Sequence, residues 1–215
     1  MIYKAPLMLL VSLIAVFPFF NSQIPVSHAQ TIVDEWEKVK APKPVELKTV
    51  KIKPEETAFL ILDIQKRSCN SKRRPRCVSS VPAIQKFLNK AKSKGVTVVY
   101  SLTSRGKPED ILSEVAPTGN EPVVKSSVDK FYKTNLEKIL RDKGIKTVII
   151  AGTSAEGAVI HTATGASMRR FKVIVPVDGM SSGTLYAEQY TAWHLTKAPG
   201  TKRRTTLTSF DKIDF

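Results

Sequence analysis

Four places in the sequence carry residue types that can do chemistry together. Asp63 ends the apolar run Thr57-Ala-Phe-Leu-Ile-Leu, Lys125 follows Val123-Val124, and Asp178 follows Val177. The fourth is a turn of mostly small residues, Gly152-Thr-Ser-Ala-Glu-Gly-Ala158, between an apolar run and a helical pattern. An acid beside a base can move protons, and each sets the other's protonation state. Backbone N–H groups at a helix start hold negative charge, so the Gly152–Ala158 turn reads as an oxyanion or anion cradle, with Ala155 and Ala158 as donors. Glu156 is either a pocket acid or a complement to the helix dipole. His161, about one helical turn past Ala158, faces either a pocket or its helix's ordinary surroundings. Neither His161 nor His194 has metal-ligand spacing to Asp63, so no metal and no cofactor are expected. Trp36 and Trp193 read as packing residues.

These side chains meet only if the runs before them are strands of one sheet. Thr57–Leu62 is apolar on both faces, as in a parallel strand covered on both sides. Val81, Ile84, Phe87, Leu88 and Ala91 then recur at helical spacing, with Pro82 expected in the first turn and Gly95 as the stop. Further strands are expected at 96–102, 146–151, 172–177 and 205–208, with helices around 136–140, 157–170 and 185–197. This alternation predicts an α/β fold, a doubly wound, mostly parallel sheet with helices on both faces in a Rossmann-like three-layer arrangement. Ligands of such sheets bind beyond the carboxyl ends of the strands, where all four places lie. The domain is expected at 55–215, after an extended Pro- and Lys-rich arm over 30–54.

The 215 residues are 42% hydrophobic and 25% charged, which excludes a disordered or fibrous chain, and the formal charge is +15. Lys4 precedes the uncharged run Leu7–Phe20, too short for a membrane span, and Ser27-His28-Ala29 offers small residues for a peptidase. Residues 1–29 therefore read as a signal peptide cleaved after Ala29, giving a periplasmic or secreted protein with no stable membrane span. There the positive charge favours a small anionic ligand. Nucleic acid is not expected, because the basic clusters Lys72–Arg76 and Lys202–Arg204 carry no interleaved aromatics. A homo-oligomer stays open. Cys69 and Cys77, the only cysteines, lie eight apart in a basic loop. Export favours a disulfide between them; the alternative is a reactive thiol at Cys69.

Leu62-Asp63-Ile-Gln65, Glu121-Pro-Val-Val-Lys125 with Phe131 beyond it, Gly152 followed by Ala158-Val159 and Thr162-Ala163, and Val177-Asp178 together resemble the isochorismatase-like hydrolase superfamily in order and spacing. The resemblance runs from about Val50 to Ile213. Most members are cysteine hydrolases with an Asp/Lys/Cys triad, which implies that Asp63 is the Asp and Lys125 the Lys. Ala158 stands at the position of the nucleophilic Cys, as the chain's own residue or as a replacement, and a methyl group attacks nothing. Ala155 stands where many relatives carry Thr, after a bond often cis in the family. Family members that hydrolyse isochorismate also lack the Cys and protonate a vinyl ether with the Asp. The resemblance implies a site drawing on Asp63, Lys125 and Ala158, with Gln65, Phe131, Ala155, Glu156, Gly157 and His161 around the substrate. The expected function is an exported hydrolase of a small, anionic substrate without a covalent Cys intermediate. The alternative is a catalytically inactive member, a pseudoenzyme that binds a small molecule.

Overall fold

The computed structural model describes Met1 and residues 30–215. The expected signal peptide lies almost wholly outside the described residues, and among these no helix is long and apolar enough to cross a membrane. The chain divides into two compact units, Met1–Ala41 and Pro42–Phe215. In the first, one helical turn, α1 (Ile32–Glu35), continues into a 3-10 turn, and Trp36 is exposed rather than packed.

The second unit starts earlier than the sequence suggests. Strand β1 (Val50–Lys51) pairs in parallel with β9 (Ile213–Asp214), and the Lys48 N–H donates to the Leu207 carbonyl, so the end of the supposed arm is built into the domain. The main sheet contains β2 (Thr57–Leu62), β3 (Thr97–Leu102), β4 (Val123–Lys125), β5 (Thr147–Thr153), β6 (Lys172–Pro176), β7 (Met180–Ser181) and β8 (Thr205–Thr208). Its order is β4-β3-β2-β5-β6-β8, with β7 continuing alongside the end of β5, and every pairing is parallel.

Strand alternation divides the interior. Ala58, Leu60 and Leu62 of β2 pack with helices α3 (Leu136–Asp142), α4 (Ile160–Met168) and α5 (Leu185–Lys197). Phe59 and Ile61 point the other way, onto α2 (Pro75–Ser93). The expected three layers are present. Two local expectations change. Pro75, not Pro82, occupies the first turn of α2, and Pro82 lies inside the helix. It is tolerated there on the solvent side, four residues after the exposed Val78 whose carbonyl its missing N–H leaves free. Trp193 on α5 is 40% exposed, so it packs only in part.

From β2 the chain winds outward through β3 to β4, then crosses to the other side of β2 and continues through β5, β6 and β8. The winding therefore reverses between β2 and β5, and a crevice forms beyond their carboxyl ends. Gly152 lets the two strands close there, because a Cβ at this position, with φ of +134°, would stand 2.1 Å from the Leu62 carbonyl oxygen.

Candidate active site

Asp63 projects from the end of β2 into that crevice. Its φ is +53°, a left-handed conformation that Asp tolerates better than most residues, and its side chain is almost fully buried. One carboxylate oxygen accepts from the Ser101 hydroxyl of β3 at 2.7 Å, and the other pairs with Lys130 Nζ at 2.8 Å. Lys130 has no exposed surface; its ammonium also donates to the carbonyls of Leu102, Ser126 and Ser127 at 3.2, 3.2 and 2.6 Å. The loop holding it is fixed from α4, where the Thr162 hydroxyl accepts the Lys130 N–H at 3.2 Å.

Asp63 therefore meets Lys130, and the expectation for Lys125 is corrected. Val123, Val124 and Lys125 form an edge strand in which only Val124 faces the core, so Lys125 points outward with Val123. Two adjacent valines suggested a strand buried on both faces; alternation on a half-covered edge puts the lysine in water.

A cavity of about 290 Å³ opens over Asp63, lined by Thr153, Ser154, Gly157, Ala158 and Ser127 among others. Residues Ala155–Val159 make a single π-helical turn that runs into α4. The Ser154 carbonyl takes the N–H groups of Gly157 and Val159, each at 3.1 Å, so neither is free for an anion. Gly157 has no side chain for a physical reason, since a Cβ there would stand 2.7 Å from the Ser154 hydroxyl. The Thr153–Ser154 peptide bond, which Ala155 follows, is cis.

The other expected pocket residues divide. Ala158 and Gly157 line the cavity, whereas Ala155 is packed in the core. Gln65 is buried beneath the site and acts on its frame, its side-chain oxygen accepting the Thr103 N–H at 2.9 Å. Phe131 lies in the core against Phe171 under the Arg169 guanidinium. Glu156 turns away and accepts from the Ser182 hydroxyl at 2.5 Å. His161 is exposed, with Nδ1 2.8 Å from the Gly157 carbonyl. Asp178, in the 3-10 turn after β6, accepts the Phe210 N–H and lies outside the cavity. Cys69 and Cys77 form a disulfide, so neither is a free thiol.

Sequence reasoning missed Lys130, Ser101, Ser154 and four cavity arginines, Arg67, Arg73, Arg74 and Arg105. Loops have no hydrophobic period, so nothing in 126–135 marks which side chain turns inward. The one usable signal is the Lys72–Arg76 cluster, which follows Asp63 closely in the sequence.

Burial opposes charge at both partners. It pushes the Asp63 carboxyl above its ordinary value, against the pull of Lys130 and the hydrogen bond from Ser101. It pushes the Lys130 ammonium down, against the attraction of Asp63. At each group burial favours the neutral form, and the partner works against it.

Residues 57–207, more than half of the chain, match the Isochorismatase domain. The chain belongs to the isochorismatase family. Family relatives include N-carbamoylsarcosine amidase of an Arthrobacter species, 28% identical over 130 residues covering 47% of this chain and 49% of the relative. The secreted isochorismatase effector Isc1 of Verticillium dahliae is 28% identical over 138 residues, covering 59% of this chain and 73% of the relative. The chain spans about half the length of the amidase. Among solved structures, an isochorismatase-like hydrolase from Alkaliphilus metalliredigens superposes with a TM-score of 0.67 at 24% identity, covering 73% of this chain and 96% of the other. The nicotinamidase SaPncA from Staphylococcus aureus gives 0.64 at 18%, covering 72% and 99%. These likenesses establish the α/β fold, and the family's members are mostly hydrolases.

Proposed function

We propose that this family member is an exported hydrolase that cleaves a small anionic substrate by proton transfer, without a covalent enzyme intermediate. The observation that carries the reading is a buried carboxylate paired with a buried lysine at a cavity whose lining includes a methyl group, Ala158. With both cysteines bonded to each other, the chain has no thiol to attack with.

In this reading Asp63 gives its proton to the substrate, an enol ether, ester or amide. Lys130 and Ser101 stabilise the carboxylate left behind. Water adds its oxygen to the activated carbon and returns one proton to Asp63; the adduct then breaks its carbon–oxygen or carbon–nitrogen bond, a hydroxyl proton of the adduct leaving with the departing alcohol or amine, so the protein ends the cycle unchanged. The raised Asp63 carboxyl supports the acid role, since a carboxylic acid must hold its proton to donate it. The Ala158 N–H is the candidate oxyanion donor. Export rests on the sequence before Gln30, and the secreted Verticillium relative is consistent with it.

The same observation supports a second reading, a pseudoenzyme that binds its ligand and does not turn it over, because every strong acceptor of Asp63 is already engaged. Hydrolysis of enol ether, ester and amide panels by the mature protein and by Asp63→Asn separates the two. Turnover that falls at least 100-fold in Asp63→Asn is expected for the hydrolase. Ligand-dependent thermal stabilisation without turnover in either protein would establish the binding reading.

A further inference from the structure

Four arginines border the cavity beside Asp63, and no step of the proposed hydrolysis uses them. Arg67, Arg73 and Arg74 come from the segment after β2, and Arg105 reaches the same cavity from the segment after β3. Asp63 is the only carboxylate in the lining, and Lys130 already pairs with it. Among the described residues, none of the four guanidiniums has a carboxylate within salt-bridge distance. The nearby Arg76 differs, since it forms a two-pronged pair with Glu188 of α5.

Clustered like charges repel, so something must hold them. The Cys69–Cys77 disulfide lies in the same segment as Arg73 and Arg74, and the Asn70 side chain and carbonyl accept the N–H groups of Arg73 and Arg74. Arg74 also donates to the Ser68 carbonyl at 3.1 Å. Burial and then the neighbouring Arg73 pull the Arg74 guanidinium below its ordinary value. Cations without acidic partners, gathered at one cavity wall, suit an anion that arrives from outside.

We infer that this cavity binds a phosphomonoester, with its phosphoryl group held by Arg67, Arg73, Arg74 and Arg105. A phosphoryl dianion concentrates two charges and three acceptor oxygens on one atom, which suits several guanidiniums lining one cavity. A carboxylate offers half the charge and is satisfied by a single guanidinium fork. The phosphoryl group is a handle, and no bond to phosphorus forms or breaks. The inference rests on the hydrolase reading only for what happens at Asp63, and it concerns binding.

Isothermal titration of the full mature chain at about 0.15 M salt, the physiological range, with inorganic phosphate, malonate and acetate tests it, alongside Arg73→Gln/Arg105→Gln and a charge-matched control, Lys202→Gln/Arg203→Gln, away from the cavity. Phosphate binding at least tenfold tighter than malonate and acetate, lost at least tenfold in the cavity variant and unchanged in the control, is the expected result. Equal or tighter binding of malonate or acetate overturns the inference, as does equal loss in the control, binding that stays non-saturable, or an adventitious ion only. Repeating the titration with Asp63→Asn separates the two readings. Phosphate binding by the wild-type chain and by Asp63→Asn, with no panel substrate hydrolysed by the wild-type chain, leaves this inference standing and removes the hydrolase reading; turnover by the wild-type chain with no phosphate binding does the reverse.

Discussion

Two sets of charges face the same cavity under opposite conditions. The Asp63–Lys130 pair is buried, each charge has a partner, and the lysine is held by three carbonyls besides. Arg67, Arg73 and Arg105 lie at the exposed rim without acids. The difference teaches how burial decides what a charge can do. A buried ion persists only when paired, so its chemistry is tied to its partner; an ion at a wet rim can wait unpaired for a ligand.

Breaking the inner pair should have the largest effect. Lys130→Met leaves Asp63 without its cation and is expected to lower stability by about 3–5 kcal/mol, whereas Lys125→Met on the exposed edge of β4 should stay within about 0.5 kcal/mol. Urea unfolding of both variants measures this, and equal losses would return Lys125 to the site.

Reduction of Cys69–Cys77 acts on the rim. Opening so short a loop is expected to cost about 2.5 kcal/mol in the chain-entropy model, or roughly 5–10 °C in the thermal midpoint for a domain of this size. It should also weaken phosphate binding, since Arg73 and Arg74 lose their tether. Calorimetry with and without reductant reads the first, and titration under reduction the second.

The pH dependence sharpens the inner half of the comparison. The folded Asp63 carboxyl lies above its unfolded value of 3.8, so across that interval the folded state holds a proton that the unfolded chain has released. Stability from this group is full below 3.8 and declines as pH rises through the folded value. The difference in urea midpoint between wild type and Asp63→Asn should therefore shift with pH in that direction. A difference that moves the other way would mean that the pull of Lys130 exceeds the cost of burial.

The rim should be nearly silent in stability. Arg73→Gln and Arg105→Gln are each expected to change unfolding free energy by no more than about 0.5 kcal/mol, and relief of repulsion makes a small gain the expected sign. A loss above 2 kcal/mol in either would place that arginine in the fold rather than the ligand site.

Much of the frame was legible in the sequence because period and punctuation carry it. The apolar run to Asp63, the Gly152 turn and the α2 pattern of Val81, Ile84, Phe87 and Leu88 each obey a rule that needs no tertiary information. Where a choice depended on partners, the sequence was silent. Lys125 and Lys130 are told apart only by their surroundings: alternation in a half-exposed strand turns the first outward, while the Thr162 hydroxyl and three carbonyls hold the second inward. Phe131, Glu156 and His161 belonged to the right segments and turned elsewhere for the same reason. The short pairing of β1 with β9 joins residues more than 160 positions apart, and two residues on each side are too few to show a period.

The central claim is that burial raises the Asp63 carboxyl, toward the protonated form an acid needs, despite an ammonium at 2.8 Å. Titration of its carboxyl carbon by NMR, assigned by difference against Asp63→Asn, measures that directly. A midpoint above the ordinary 3.8 is the predicted result. A midpoint at or below 3.8 would make Asp63 a permanently ionised partner of Lys130 and would contradict its role as the acid.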